Sequence, residues 1–357
     1  MIPLPAVAQN IGSVPPGKVA PFEFKKLWIN SPDKATIQEL EKASELISNF
    51  PGQAIALLTP KAETGDPNYQ YLLGAAYMAQ FHYALSDKEK KVQQDKALYW
   101  YKESGYQGHI GAQTLAGLYY WLNLHEIDKA ITWFEMASAS PFSDGQTDTF
   151  LGLIYVAGQD KPVDYKKAEE YFKRGAEKGF GVAQDRLGDM YYTGKAGIRD
   201  LKEAAKWTRK AAEHDDNYIA QYRLAEMYRL GQITGQPDFG QFEFWATKSA
   251  KANGAPAMLA LGEFYHSGEG GSVDEKKAAK WLRQAALKKI PHAQFMLAQM
   301  YEEGRGVPQD FIQAYIYYRL AEDGNYPLPP ATMKTLRAKM TSAQLTHAEK
   351  LMAVLKE

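Results

Sequence analysis

The sequence predicts an all-α chain built from repeated helix-turn-helix units, and three observations carry that expectation. A small residue recurs at Gly74, Gly117, Gly152, Gly188, Ala225, Gly262 and Ala298, and the last six of these markers stand 35, 36, 37, 37 and 36 residues apart. Three positions after every marker comes a tyrosine: Tyr77, Tyr120, Tyr155, Tyr191, Tyr228, Tyr265 and Tyr301. A second series places an aromatic at Trp100, Trp133, Tyr171, Trp207, Trp245, Trp281 and Tyr317, with a small residue four positions later in each case. Spacings of three and four keep residues on one helix face, so each unit reads as two short helices with matching packing stripes. Such a unit cannot bury its own apolar face and is stable only when neighbouring copies cover it.

Taken in order, the chain opens with Met1–Phe22, which has five prolines and no charge before Lys18. This composition disfavours helix and predicts an extended segment over 1–33. Within it, "PAVAQ" at Pro5–Gln9 has the small-x-small pattern of a secretory signal end, without the basic n-region or the continuous apolar core. Two readings stand: an exported chain beginning within or just after its signal, or a cytoplasmic chain with a chance alanine pair. Residues 34–66 carry Leu, Ile and Ala at helical spacing on both sides of Pro51, as expected of a degenerate first repeat that caps the stack. Seven full units occupy 67–326. In five of them an aspartate (Asp164, Asp200, Asp238, Asp274, Asp310) stands where it can cap the second helix. Turn glycines at 158, 194, 231, 268 and 304 suit a left-handed end to the first helix. Each marker is expected to leave a hole that the tyrosine three residues on fills. Residues 327–357 close the chain with capping helices, the last opened by a Thr341/Gln344 capping box and continued by Leu345, Ala348, Met352 and Leu355 along one face.

The stretches "YEEGRGVPQDFIQAYIYYRLAEDGN", Tyr301–Asn325, and "LGEFYHSGEGGSVDEKKAAKWLRQAA", Leu261–Ala286, resemble the Sel-one-like repeat, a bacterial-type relative of the tetratricopeptide repeat. The chain departs from the family pattern at Ala225 and Ala298 in place of glycine, Ala116 in place of leucine, and Phe242 in place of alanine, and its first two turns differ in length. The resemblance implies a right-handed superhelical solenoid of about seven to eight repeats with a C-terminal capping helix pair. It also implies a non-enzymatic scaffold or adaptor that holds a protein or peptide partner in a concave groove lined by the first helices. Bacterial members of the family serve secretion, polysaccharide export or host contact, and some are immunity proteins that mask a toxic effector. A periplasmic or secreted location is expected, with the cytoplasm as the alternative.

Composition narrows the chemistry. The 357 residues contain 42 basic and 42 acidic side chains, so no net field recruits nucleic acid. No apolar run is long enough to insert in a membrane. There is no cysteine, and the seven histidines form no H-E-x-x-H or other metal-ligand spacing, so no metal and no cofactor are expected. "GEGG" and "GRG" lack the lysine and hydroxyl of a phosphate loop and read as repeat turns, and no G-x-S-x-G elbow occurs. Asp185 and Asp189 share a face and could pair as acid and base, but an open repeat surface desolvates them little. The alternative class, an enzyme acting on cell-wall or β-lactam substrates, is a role claimed for cysteine-rich relatives whose cysteines this chain lacks.

In solenoids of the resembled kind the groove is lined by positions three before, one after and four after each marker. The candidate partner-binding residues are Tyr71, Met78, Trp121, Asp185, Asp189, Tyr192, Tyr222, Glu226, Arg229, Glu263, His266 and Glu302. Trp121 follows the core Tyr120 and is expected to face outward as an apolar anchor unless the shortened second unit covers it. The acidic ladder Asp189, Glu226 and Glu263 suits a partner with basic as well as apolar segments, bound by a monomer.

Overall fold

The structure is a computed structural model that describes residues 33–356 apart from 159–160, 196, 198 and 215–216. The extended segment and the "PAVAQ" stretch expected from the sequence lie outside the described residues. Among the described residues there are helices and connecting turns and no strands. In chain order the helices are α1 Lys34–Asn49, α2 Pro51–Ala62, α3 Pro67–Phe81, α4 Asp87–Tyr106, α5 Ile110–Leu122, α6 Ile127–Ser138, α7 Gln146–Ala157, α8 Tyr165–Glu177 and α9 Gly181–Thr193. They continue as α10 Leu201–Ala212, α11 Tyr218–Arg229, α12 Phe239–Lys251, α13 Ala255–Ser267, α14 Glu275–Leu287, α15 Pro291–Glu303, α16 Phe311–Asp323, α17 Thr332–Lys339 and α18 Ser342–Lys356. The chain divides into two compact units, Met1–Gln184 and Asp185–Glu357. Each is a row of helical hairpins in which helices pack on their neighbours in sequence. No described helix is long and apolar enough to cross a membrane.

A repeated set of contacts closes each hairpin. Asp164, Asp200, Asp238, Asp274 and Asp310 each accept from backbone amides in the first turn of the second helix, at 2.9–3.1 Å. The same five residues donate their own N–H to the carbonyl of the marker tyrosine: Tyr155, Tyr191, Tyr228, Tyr265 and Tyr301. One aspartate therefore satisfies the exposed amides of a helix start and also sets the distance between the two helices. The preceding turn needs a left-handed residue, and the glycines at 158, 194, 231, 268 and 304 all have φ between 65° and 73°.

The marker glycines are explained by the facing helix, which corrects the expectation that the tyrosine three residues on fills the space. A Cβ on Gly117 would stand 2.6 Å from the ring of Phe134, and one on Gly262 would stand 2.6 Å from Leu282. The filling side chain is thus the residue just after the second-helix aromatic. The tyrosine instead reaches the second helix of the preceding hairpin: Tyr228 accepts from Arg209, Tyr265 donates to Glu243, and Tyr301 accepts from Arg283. At the C-terminal end, Thr341 and Gln344 form the reciprocal capping box, and α18 packs Leu345, Ala348, Leu351 and Met352 against α16. Leu355 is exposed rather than on that face.

Candidate functional site

Because the hairpin is pinned at its turn, the positions three before, one after and four after each marker fall on one face of the first helix. In the Asp185–Glu357 unit that face meets the following repeat through polar contacts. Asp185 is buried and binds Arg223 at 2.6 Å, and Asp189 binds the same guanidinium at 3.3 Å and Lys195 at 3.7 Å. One repeat on, Tyr192 accepts from Gln232 at 3.5 Å, with Arg199 over its ring. Arg229 binds Glu269 at 2.6 Å, and the ring of His266 lies 3.5 Å from Arg305 and 2.9 Å from Glu275. Glu263 faces His292 at 3.3 Å, and Glu302 accepts from Tyr318 at 2.8 Å and from Lys339 at 2.7 Å. The three residues four after their markers, Tyr192, Arg229 and His266, each contact the residue seven after the next marker. They form a lateral clasp repeated along the unit.

The acidic ladder is consequently not a bare negative surface. Arg223 and Lys195 neutralise Asp189, and His292 faces Glu263. Glu226 is the exception in degree. Arg229 stands 3.7 Å from its Oε1, within ion-pair reach but beyond hydrogen-bonding distance, and that oxygen is buried without a hydrogen-bond partner. Burial raises the Glu226 carboxyl above the usual range, opposed by Arg229 and reinforced by Glu269 and Glu263. Burial also pushes the Tyr222 phenol up to about 12, with the charges of Glu226 and Glu263 adding to the effect. Glu226 and Glu269 share the Arg229 guanidinium, and the charge of Glu263 also acts on it.

In the Met1–Gln184 unit the same positions are largely core. Tyr71 is buried and stacks on His109, with ring centroids 4.4 Å apart and planes at 20°. Trp121 is only 5% exposed and packs edge-on to Phe134 and Phe150 at 6.2 and 6.3 Å, so the outward-facing anchor expected from the sequence is an inward one. The reason is the short α5–α6 connection: four residues after its marker, Trp121 lies where the second helix and the next hairpin close together. Met78 is half-buried.

Several structural residues went unread in the sequence. A buried glutamine four positions before the marker donates to the carbonyl at or near the end of the preceding second helix: Gln70 to Ala62, Gln113 to Gly105, Gln184 to Ala176, Gln221 to Ala212 and Gln294 to Ala286, at 2.9–3.3 Å. The spacing was visible, but its purpose depends on a helix end brought close by the fold. At the equivalent position Asp148, fully buried, accepts from Ser138 and holds Arg174 and Lys178 at 3.2 and 2.7 Å. His109 caps α5 by accepting the Ala112 amide on Nδ1 at 3.2 Å, which leaves a buried Nε2 without a partner. Burial lowers its pKa to about 4.

The repeat pattern is found in known proteins. The family model described as the Sel1 repeat matches residues 67–109, 125–141, 149–180, 181–216, 219–253, 255–289 and 291–326. The alginate biosynthesis protein AlgK of Azotobacter vinelandii is 30% identical over 129 residues, which are 36% of this chain and 28% of that protein. Chitin synthase regulatory factor 3 of Schizosaccharomyces pombe is 30% identical over 133 residues, 36% of this chain and 14% of that protein. The chain thus matches less than a third of the length of either relative. The crystal structure of a Sel1 repeat protein from Oxalobacter formigenes, 24% identical, superposes with a TM-score of 0.62 over 89% of this chain and 93% of that one, a likeness of fold. With seven repeats matched, and with the caps, turn glycines and hairpin contacts that the pattern requires, the chain belongs to the Sel1 repeat family.

Proposed function

We propose that this chain is a non-enzymatic scaffold that holds a protein or peptide partner against the first-helix face of its repeats, in a system of the bacterial envelope. Sel1 repeat proteins generally mediate protein–protein interaction. The observation that carries the reading is the cluster of Tyr222, Glu226, Arg229, Glu263 and Glu269. Here an aromatic ring and a guanidinium, the side-chain types that anchor interfaces, stand half-buried beside a surplus of carboxylate. A lysine or arginine of the partner would balance that surplus. Tyr192 and His266 extend the surface to the neighbouring repeats. The names of the two relatives, alginate biosynthesis and chitin synthase regulation, favour polysaccharide synthesis or export over secretion, host contact or immunity. Photo-crosslinking from Tyr192, Tyr222 and His266 in cells of the source organism tests the reading. A discrete protein adduct that weakens with Glu263→Lys is expected, and the absence of protein adducts at all three positions overturns it.

A further inference from the structure

The second helices of the Asp185–Glu357 unit present a different chemistry. Relative to Trp207, Trp245 and Trp281, the positions one before, three after and six after lie on one stripe of each helix. They hold Lys206, Lys210 and Glu213 at α10, Phe244, Lys248 and Lys251 on α12, and Lys280, Gln284 and Leu287 on α14. The tryptophans hold the cations in place: Lys210 Nζ lies 4.6 Å from the Trp207 ring centroid, Lys248 lies 5.4 Å from Trp245, and Lys280 lies 5.9 Å from Trp281. Lys210, Lys251 and Lys280 are exposed and have no carboxylate within ion-pair distance among the described residues.

The carboxylates of these three helices are already engaged, one of them by Lys206 of the stripe itself. Glu203 binds Lys206 and Trp207, Glu243 binds Tyr265, and Glu275 binds His266 and Arg305. Glu213, exposed just past α10, is an acid at one end of the stripe. The chain is neutral as a whole, but Lys210, Lys251 and Lys280 stand on the second helices of this unit without such a match. The ridge stops at the unit's edge in sequence: the equivalent residues are Glu170, Arg174 and Glu177 at α8, and Thr132, Met136 and Ala139 at α6. Two apolar side chains stand among the cations, Phe244 at 58% and Leu287 at 72% exposed.

We infer that this second-helix ridge, α10–α12–α14, docks an acidic segment of a protein partner, one with apolar residues set between its carboxylates. The inference deepens the scaffold reading and rests on it. The unpaired ammoniums of Lys210, Lys251 and Lys280 complement carboxylates and steer their approach. Phe244 and Leu287 select a polypeptide, because a polyanionic polysaccharide has no apolar side chains to bury against them.

Fluorescence anisotropy at two salt concentrations provides the test. The probes are a synthetic peptide of Asp and Glu with interspersed Leu and Phe, and a uronate oligosaccharide of equal charge. Against the peptide, Lys210→Glu/Lys251→Glu/Lys280→Glu should weaken binding at least about tenfold, while Lys88→Glu/Lys166→Glu/Lys173→Glu, an equal change in net charge on the other unit, should change it by less than about twofold. Phe244→Ser/Leu287→Ser should weaken it about fivefold and leave the salt dependence unchanged. Thermal melts establish that each variant folds. No peptide binding, equal losses in the two triple variants, or tighter binding of the uronate that ignores Phe244 and Leu287 would each overturn the inference. None of these results alters the crosslinks from Tyr192, Tyr222 and His266, so the ridge and the first-helix face succeed or fail separately.

Discussion

The two compact units use one repeat register to make two kinds of joint. Three before and four after its markers, the Met1–Gln184 unit places Tyr71 and Trp121, both buried among rings. At the same positions the Asp185–Glu357 unit places Asp185 and Arg229, engaged in ion pairs, and His266, hydrogen-bonded to Glu275. The repeat therefore dictates which residues meet the neighbouring hairpin and leaves the chemistry of the meeting free. An apolar joint draws on area removed from water and responds to cavities. An ionic joint adds little net stability but is costly to break on one side, and it responds to pH and salt.

The largest expected effect strikes the apolar joint. Trp121→Ala should lower stability by on the order of 3–5 kcal/mol, as for other large buried aromatics, and should lose hydrogen-exchange protection first in α5–α7. A protein that melts as before, with altered partner binding only, would return Trp121 to the surface. In the ionic joint, Arg223→Ala should cost about 3 kcal/mol, because it leaves the buried Asp185 carboxylate uncompensated. Adding Asp185→Asn should recover much of that loss in a denaturant titration, and failure to recover would mean that the arginine acts through packing.

The third expectation concerns acid. The folded pKa of His109 is lowered to about 4 from an ordinary value near 6.5. The unfolded chain therefore takes up the proton first, and stability falls as pH drops below 6.5 until the folded pKa is passed. By pH 5 the loss should reach about 2 kcal/mol. His109→Asn keeps an acceptor at the helix start and should remove this dependence, which thermal melts between pH 7 and 4 would show. An unchanged slope would place the acid sensitivity elsewhere. The smallest effect is expected at Glu226, where the raised carboxyl pKa means that the folded state favours the protonated form and that this favour is lost as pH rises through the folded value. Glu226→Gln should shift stability at pH 7 by less than about 1 kcal/mol, in the stabilising direction. A clear destabilisation would show that Arg229 needs that charge.

Much of the architecture was legible because the signals are local. The five capping aspartates and the five turn glycines act within a few residues of their own position, so their roles follow from spacing alone. The buried glutamine four before the marker escaped notice although it recurs at Gln70, Gln113, Gln184, Gln221 and Gln294, since its partner is a carbonyl eight or nine residues back whose availability depends on a helix ending there. The mate of each marker glycine is hidden from the sequence for a similar reason. Tyr120 lies near Gly117 in sequence, but Phe134 is what the hairpin brings against it. Asp189 and Glu263 read as part of a free acidic row because the cationic groups that face them, Arg223 and His292, come from other helices.

By itself, the sequence determined that this chain is an all-helical array of Sel1-type hairpins, where the aspartate-capped helices begin and the glycine-ended helices stop, and which residues form the packing stripes of each hairpin. Those properties follow from backbone periodicity and from caps, which are interactions between residues close along the chain. Only the tertiary structure decided what those faces do: that Trp121 is core, that Asp185 and Asp189 share Arg223, and that Lys210, Lys251 and Lys280 are left unpaired on the second helices. Burial and charge balance are sums over groups brought together from different repeats, with partners 18 to 40 residues apart, and no single stretch of sequence contains both sides of such a sum.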